Sequence, residues 1–202
     1  MSAGLFVVLE GIDGSGKTSV AKLLKGMLEK EHFSVAITRE PTYFEVGALL
    51  RNYLKNYDLY QRDPIYEALL FAADRVYHVN RFIKPLLNRG YIVISDRYVY
   101  SSIVYQTIDG VSEKWIQVIN KFALEPDLPI FIDVSPEVAL KRLGNRKSMF
   151  ENLGFLKRVY NKYLELVRSG ALVSVDGTRD INKITEEIYS MVISLWRKKN
   201  NT

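Results

Sequence analysis

At 202 residues, 48% hydrophobic and 25% charged, the chain has the composition of an ordinary globular protein, and one domain over 1–202 is expected. It contains no cysteine, which excludes disulfides, thiolate metal sites and cysteine nucleophiles, and its two histidines, His32 and His78, leave no multi-histidine metal centre to expect. Twenty-eight Lys and Arg against 23 Asp and Glu give a net charge of +5, which suggests anionic partners without separating nucleotides from nucleic acid.

The first apolar run, LFVVL at 5–9, has no basic leader before it and is soon closed by a Glu. No stretch approaches the roughly 18 apolar residues of a membrane span, so no membrane partner and a cytoplasmic location are expected. After this strand and the turn that follows it, Val20, Leu23, Leu24, Met27 and Leu28 mark one face of a helix beginning near Lys17. A second strand, SVAIT at 34–38, precedes helices at 44–56 and 64–89, the latter opened by the Pro of RDP. The strand YIVIS at 91–95 is followed by a helix at 112–124 and the strand PIFIDV at 129–134. Helices at 136–143 and 149–168, the strand ALVSV at 171–175 and a helix at 180–198 complete the chain, with the basic end WRKKNNT expected to be a frayed, solvated terminus. The strands are continuous rather than alternating in hydrophobicity, as in sheets buried on both faces. Strand-then-helix alternation predicts an α/β fold: a five-stranded parallel sheet with helices on both faces.

Between the first strand and its helix stands GIDGSGKT, which fits G-x-x-x-x-G-K-[ST] in the strand–turn–helix context that the pattern requires. This is the phosphate loop of the P-loop NTPase fold. Gly11, Ile12, Asp13, Gly14, Ser15, Gly16, Lys17 and Thr18 form the expected ATP-binding loop. Its glycines let backbone N–H groups approach the phosphates, Lys17 reaches the β- and γ-phosphates, and Thr18 supplies an oxygen to Mg²⁺. A GTPase would carry N-K-x-D for its base, and NKFA, NKYL and NKIT all lack the Asp; the length suits a small-molecule kinase.

Three further stretches carry candidate chemistry. Asp96 and Arg97 follow the strand YIVIS, at the sheet edge where α/β proteins bind ligands. They read either as a metal-side acid with a phosphate-gripping guanidinium or as a structural pair capping the next helix. Phe71, Asp74, Arg75 and His78 share one helix face, so Phe71 and Arg75 read either as a core stripe with a snorkelling arginine or as a platform for a base; His78 reads as a helix-face histidine. Lys141, Arg142, Arg146 and Lys147 cluster about a Gly-Asn, either as a solvated face or as cations that close over a γ-phosphate.

Taken together, EGIDGSGKT, TREP at 38–41, FAADR at 71–75, DRY at 96–98, YQ at 105–106, PDLPIFIDVSPEVALKR at 126–142 and FE at 150–151 resemble the thymidylate kinase (dTMP kinase) family in order and spacing, over nearly the whole chain. The resemblance implies a nucleoside monophosphate kinase that moves the ATP γ-phosphate to dTMP with Mg²⁺, as a homodimer. It places Asp13 on the acceptor sugar, Phe71 on thymine with Arg75 bonded to it, Arg51 and Arg97 on the dTMP phosphate, Asp96 near the metal and Tyr105 beneath the deoxyribose, with Glu40, Pro41 and Ser102 completing the acceptor set. Lys17, Arg97, Arg142 and Arg146 are the expected catalytic cations, because Gly14 stands where some members carry an arginine and a short lid at about 142–150 must supply the charge. Lys147 stands in reserve and Glu151 would orient lid or substrate groups. EPTYF departs from the family's Glu-Pro-Gly-Gly at the acceptor phosphate. The alternatives are a deoxynucleoside kinase, which has no acceptor phosphate for two arginines, and a basic ATP-binding nucleic-acid protein; the resemblance itself implies no nucleic-acid partner.

Overall fold

A computed structural model describes residues 3–56, 62–144 and 153–200. Five strands, β1 (Leu5–Glu10), β2 (Val35–Arg39), β3 (Ile92–Asp96), β4 (Leu128–Asp133) and β5 (Val173–Asp176), form one parallel sheet in the order β2-β3-β1-β4-β5. Every residue of β1 is buried, which is why its apolar run does not alternate. Leu5, Val7 and Leu9 pack with Val20, Ala21, Leu24 and Leu28 of α1 (Lys17–Lys30) and with Ile184, Ile188 and Val192 of α9 (Ile181–Asn200). Phe6 and Val8 point the other way, into a cluster with Val79, Ile83, Val93 and Tyr98. The five-stranded, doubly covered α/β sheet is thus as expected.

The remaining helices are α2 (Glu45–Lys55), α3 (Pro64–His78), α4 (Lys84–Leu87), α5 (Val99–Ile108), α6 (Glu113–Ile119), α7 (Pro136–Leu143) and α8 (Leu153–Arg168). Several differ from expectation. The helix expected over 64–89 is interrupted by a π turn at Val79–Ile83, and that over 112–124 ends at Ile119. The helix α5 is absent from the periodicity reading, because VYSSIVYQTI is rich in β-branched, aromatic and Ser residues that favour helices weakly. As far as Asn200 the last helix is tied down rather than frayed: Asn200 bonds the backbone of Ala3, Lys199 reaches Asp127 at 2.6 Å, and Trp196 packs edge-on against Phe33; the last two residues of WRKKNNT lie outside the described residues.

Register brings the site together. Leu9 pairs with Asp96 and Arg39 pairs with Asp96 on the other side, so the carboxyl ends of β1, β2 and β3 lie side by side. No helix of the described residues is long and apolar enough to cross a membrane.

Candidate active site: two pockets joined at one arginine

The loop after β1 builds the first pocket, about 510 Å³ in volume, together with Thr18, Arg39, Asp96, Arg142 and Arg179. Gly14 has φ 84°, and a Cβ there would lie 2.5 Å from the Ala139 carbonyl oxygen and 3.0 Å from Leu143 Cγ. Helix α7 therefore closes on the loop, and no side chain fits at this position. Lys17 is buried, and its ammonium donates to the carbonyls of Gly11 and Ile12, both at 2.9 Å. Burial, reinforced by the Arg97 charge, brings its pKa down to about 8. Thr18 Oγ1 donates to Asp96 Oδ2 at 2.5 Å. Arg142 donates to the carbonyls of Ser15 at 3.4 Å and Gly177 at 3.0 Å, on the wall that Gly177, Arg179, Ile181 and Ile184 continue.

The second pocket, about 140 Å³, is lined by Asp13, Glu40, Pro41, Phe71, Arg75 and Tyr105 among others, and it meets the first at Asp13 and Arg97, which line both. Arg97 Nη2 donates to Asp13 Oδ1 at 2.6 Å. Burial pushes the Asp13 carboxyl up, but the Arg97 and Lys17 charges outweigh it and hold the group below its ordinary value. Arg97 occupies the left-handed region at φ 74°, unusual for a side chain of this size, and its N–H donates to the Leu9 carbonyl at 2.9 Å. Strain of this kind collects at functional sites. The guanidinium also lies 5.3 Å from the centre of the Tyr105 ring.

Arg75 is neither snorkelling nor loose. It is buried, with Nε 2.9 Å and Nη2 2.8 Å from Glu40 Oε2, Nη2 donating to Ser102 Oγ at 2.9 Å and Nη1 donating to Asn120 Oδ1. His78 is buried too, a correction to its reading as a helix-face residue, and bridges Glu40 Oε1 at 3.0 Å and Thr38 Oγ1 at 2.7 Å. Phe71 and Pro41 line the pocket, whereas Ser102 stands behind Arg75 and is not on the lining, a place its neighbour Ser101 takes. Arg51 donates to the carbonyls of Pro41, at 2.9 Å, and Thr42, with Tyr43 stacked 4.0 Å from its cation; it holds the loop and is not on the pocket lining. In that loop Thr42 does the anchoring: Asp74 accepts from its N–H at 2.7 Å and its hydroxyl at 2.5 Å. Arg146, Lys147, Glu151 and most of the expected lid lie outside the described residues.

Some lining groups have no counterpart in the sequence reading. Arg179 stands past the end of β5 as Arg97 stands past β3, so the sheet-edge argument reaches it as well. Gln106, on the lining of the second pocket, lies within the YQ pair at 105–106. Behind the linings, Glu10, Asn120 and Tyr163 bond partners distant in the chain, and nothing in their spacing reveals those partners.

The thymidylate kinase family model matches residues 9–188. A probable thymidylate kinase of Staphylothermus marinus is 44% identical over 94% of this chain and 95% of its own. Those of Methanococcus aeolicus, 42% identical over 93% of both chains, and Pyrococcus abyssi, 40% identical over 94% of this chain and 96% of its own, are similar throughout. With a phosphate loop, an arginine-joined second pocket and likeness over almost its whole length, the chain belongs to the thymidylate kinase family.

Proposed function

We propose that the protein transfers the γ-phosphoryl group of ATP to dTMP, giving ADP and dTDP. The observation that carries this reading is the meeting of the two pockets at Arg97, which can hold an acceptor phosphate beside the γ-phosphate of a nucleotide in the loop. An acceptor phosphate oxygen attacks the γ-phosphorus, the bond to the β,γ-bridging oxygen breaks, and its electrons leave with ADP. Lys17 gives up its carbonyl partners to bind the β- and γ-phosphates, and the loop's backbone N–H groups and the α1 N-terminus hold the triphosphate chain. Asp13 leaves Arg97 for the acceptor sugar, freeing guanidinium N–H groups for the acceptor phosphate. Phe71 stacks on the base, and Arg75, prevented by Glu40 from turning away, donates to it.

The oxygen pair of Thr18 and Asp96 fits Mg²⁺, which is commonly held by one or two protein oxygens while phosphates and water fill the other positions. Such an ion would neutralise charge on the β- and γ-oxygens. Arg142, and Arg146 beyond the described residues, would add charge from the lid side.

The homodimer belongs to the same reading. Leu69, Val76 and Tyr77 of α3 are exposed and line a shallow groove with Val46 of α2 and Ile119 of α6. Apolar surface of this kind suits a second copy. Light scattering should report a dimer, and Val76→Glu a monomer. The cytoplasm, where ATP and deoxynucleotide pools lie, is the proposed location.

Transfer of label from γ-³²P-ATP tests the reading. Labelled dTDP is the expected product; label appearing in dTMP made from thymidine, with none in dTDP, overturns it.

A further inference from the structure

Glu10 is the last residue of β1, fully buried, and takes no part in either pocket. Its Oε1 accepts the N–H groups of Tyr98 at 2.8 Å and Ser101 at 3.2 Å, at the start of α5. Its Oε2 accepts the hydroxyls of Ser101 at 2.6 Å and Tyr163 at 2.8 Å. A carboxyl surrounded by four donors is held as an acceptor only, because a proton on either oxygen would face another donor. Burial holds this carboxyl above its ordinary value, although the Arg97 charge and these hydrogen bonds oppose the shift.

The consequence falls on Arg97. Ser101 and Tyr163 each have one hydroxyl proton; the two oxygens lie 3.1 Å apart, but the ionised Glu10 Oε2 at 2.6 and 2.8 Å is the stronger acceptor and takes both protons. Their oxygens therefore turn lone pairs outward, and Arg97 Nη1 donates to Ser101 Oγ at 3.1 Å and lies 3.5 Å from the Tyr163 oxygen. Tyr163 is itself fixed by its ring, stacked 5.0 Å from Phe131, the residue paired with Glu10 in the neighbouring strand. Of the two sides of the guanidinium, Nη2 meets Asp13, which the acceptor sugar would claim, while Nη1 meets this hydroxyl pair with the Glu10 charge behind it.

We infer that Glu10, acting through Ser101 and Tyr163, is a positioning residue that aims Arg97 at the acceptor phosphate and balances its charge once Asp13 turns to the sugar. This rests on the reading of Arg97 as the acceptor-phosphate ligand. The isosteric Glu10→Gln reverses the relay. The two backbone N–H groups keep the amide oxygen, so the amide NH₂ faces the hydroxyls and turns at least one of their protons toward Arg97. Tyr163→Phe removes one arm and leaves the ring stack.

The test is calorimetric binding of dTMP and of thymidine to the full chain and its variants, because only dTMP carries the phosphate that Arg97 would hold. Glu10→Gln is expected to weaken dTMP about 10–100-fold and Tyr163→Phe about 3–10-fold, as for a lost or reversed hydrogen bond to a charged group, with thymidine affinity held within about twofold. Should Glu10→Gln not fold, Tyr163→Phe decides alone. Arg97→Ala is the reference. If it lowers the ratio of dTMP to thymidine affinity while the Glu10 and Tyr163 variants do not, or if those variants lose both ligands equally, the positioning role is overturned and the acceptor reading stands. If Arg97→Ala leaves the ratio unchanged, the acceptor reading fails and the positioning role with it.

Discussion

The two pockets are built by different means. The donor pocket is made largely from contiguous backbone: the eight residues 11–18 run from the end of β1 into the first turn of α1, and their glycines and N–H groups form the proposed phosphate cradle. The acceptor pocket is made from side chains of α2, α3 and α5 and of the segments that follow β1, β2 and β3, held by two buried charge networks, one centred on Glu40 and one on Glu10. The difference teaches where each half is vulnerable. Changes on the donor side should cost rate with little stability, whereas changes in the acceptor networks should cost both.

The largest expected effect lies in the donor half. Lys17→Ala should lower turnover by about 10²–10³-fold or more, as does removal of a single pre-placed charge-stabilising donor, while circular dichroism stays native. A variant within tenfold of the parent would break the donor half of the account. Next, Glu40→Gln leaves Arg75 buried without its counter-charge and should cost about 3–5 kcal/mol in denaturant unfolding. The exposed Arg142→Ala should stay within about 0.5 kcal/mol. Equal losses from the two would erase the contrast between the halves.

A smaller effect is expected of Phe71→Ala, which should raise the dTMP KM by about 5–150-fold, the range of one base stack, with the ATP KM unchanged. The smallest is a fraction of a proton. With its pKa near 8, Lys17 is mostly neutral at pH 8.5, and a bound triphosphate raises that pKa. ATP binding at pH 8.5 should therefore take up part of one proton, read from calorimetry in buffers of different ionisation enthalpy, and ATP affinity should fall as pH rises through 8. The stability sign is opposite: from pH 8 to the ordinary 10.5 the unfolded chain binds the extra proton, so the ligand-free fold gains stability from this group with rising pH. Binding without proton uptake would remove Lys17 from the triphosphate.

The same contrast decides what was legible in the sequence. The phosphate loop and the doubly buried strands were, because their signals are local: glycine spacing in one, continuous Val and Ile in the other. Helix α5 was not. Its residues favour helix weakly, and its first turn is secured by a carboxylate about ninety residues earlier in the chain, through the N–H groups of Tyr98 and Ser101. The contact of His78 with Glu40 and Thr38 shows only once α3 is laid against the end of β2. Arg51, implied by resemblance as a phosphate ligand, donates to the carbonyls of Pro41 and Thr42 in the EPTYF loop, a contact that no spacing in the sequence shows. Contiguous recognition can be read from spacing; recognition assembled across strands needs the register.

The central claim is that Arg97 stands between a donor and an acceptor phosphate. The most direct measurement is kcat/KM at saturating ATP and Mg²⁺ for dTMP and for thymidine, in the parent and in Arg97→Ala. The account predicts that the parent prefers dTMP by at least about 10²-fold, the worth of one charge-assisted phosphate clamp, and that Arg97→Ala loses most of that preference. A parent that phosphorylates thymidine as well as dTMP, or an Arg97→Ala variant that keeps the full preference, would contradict it.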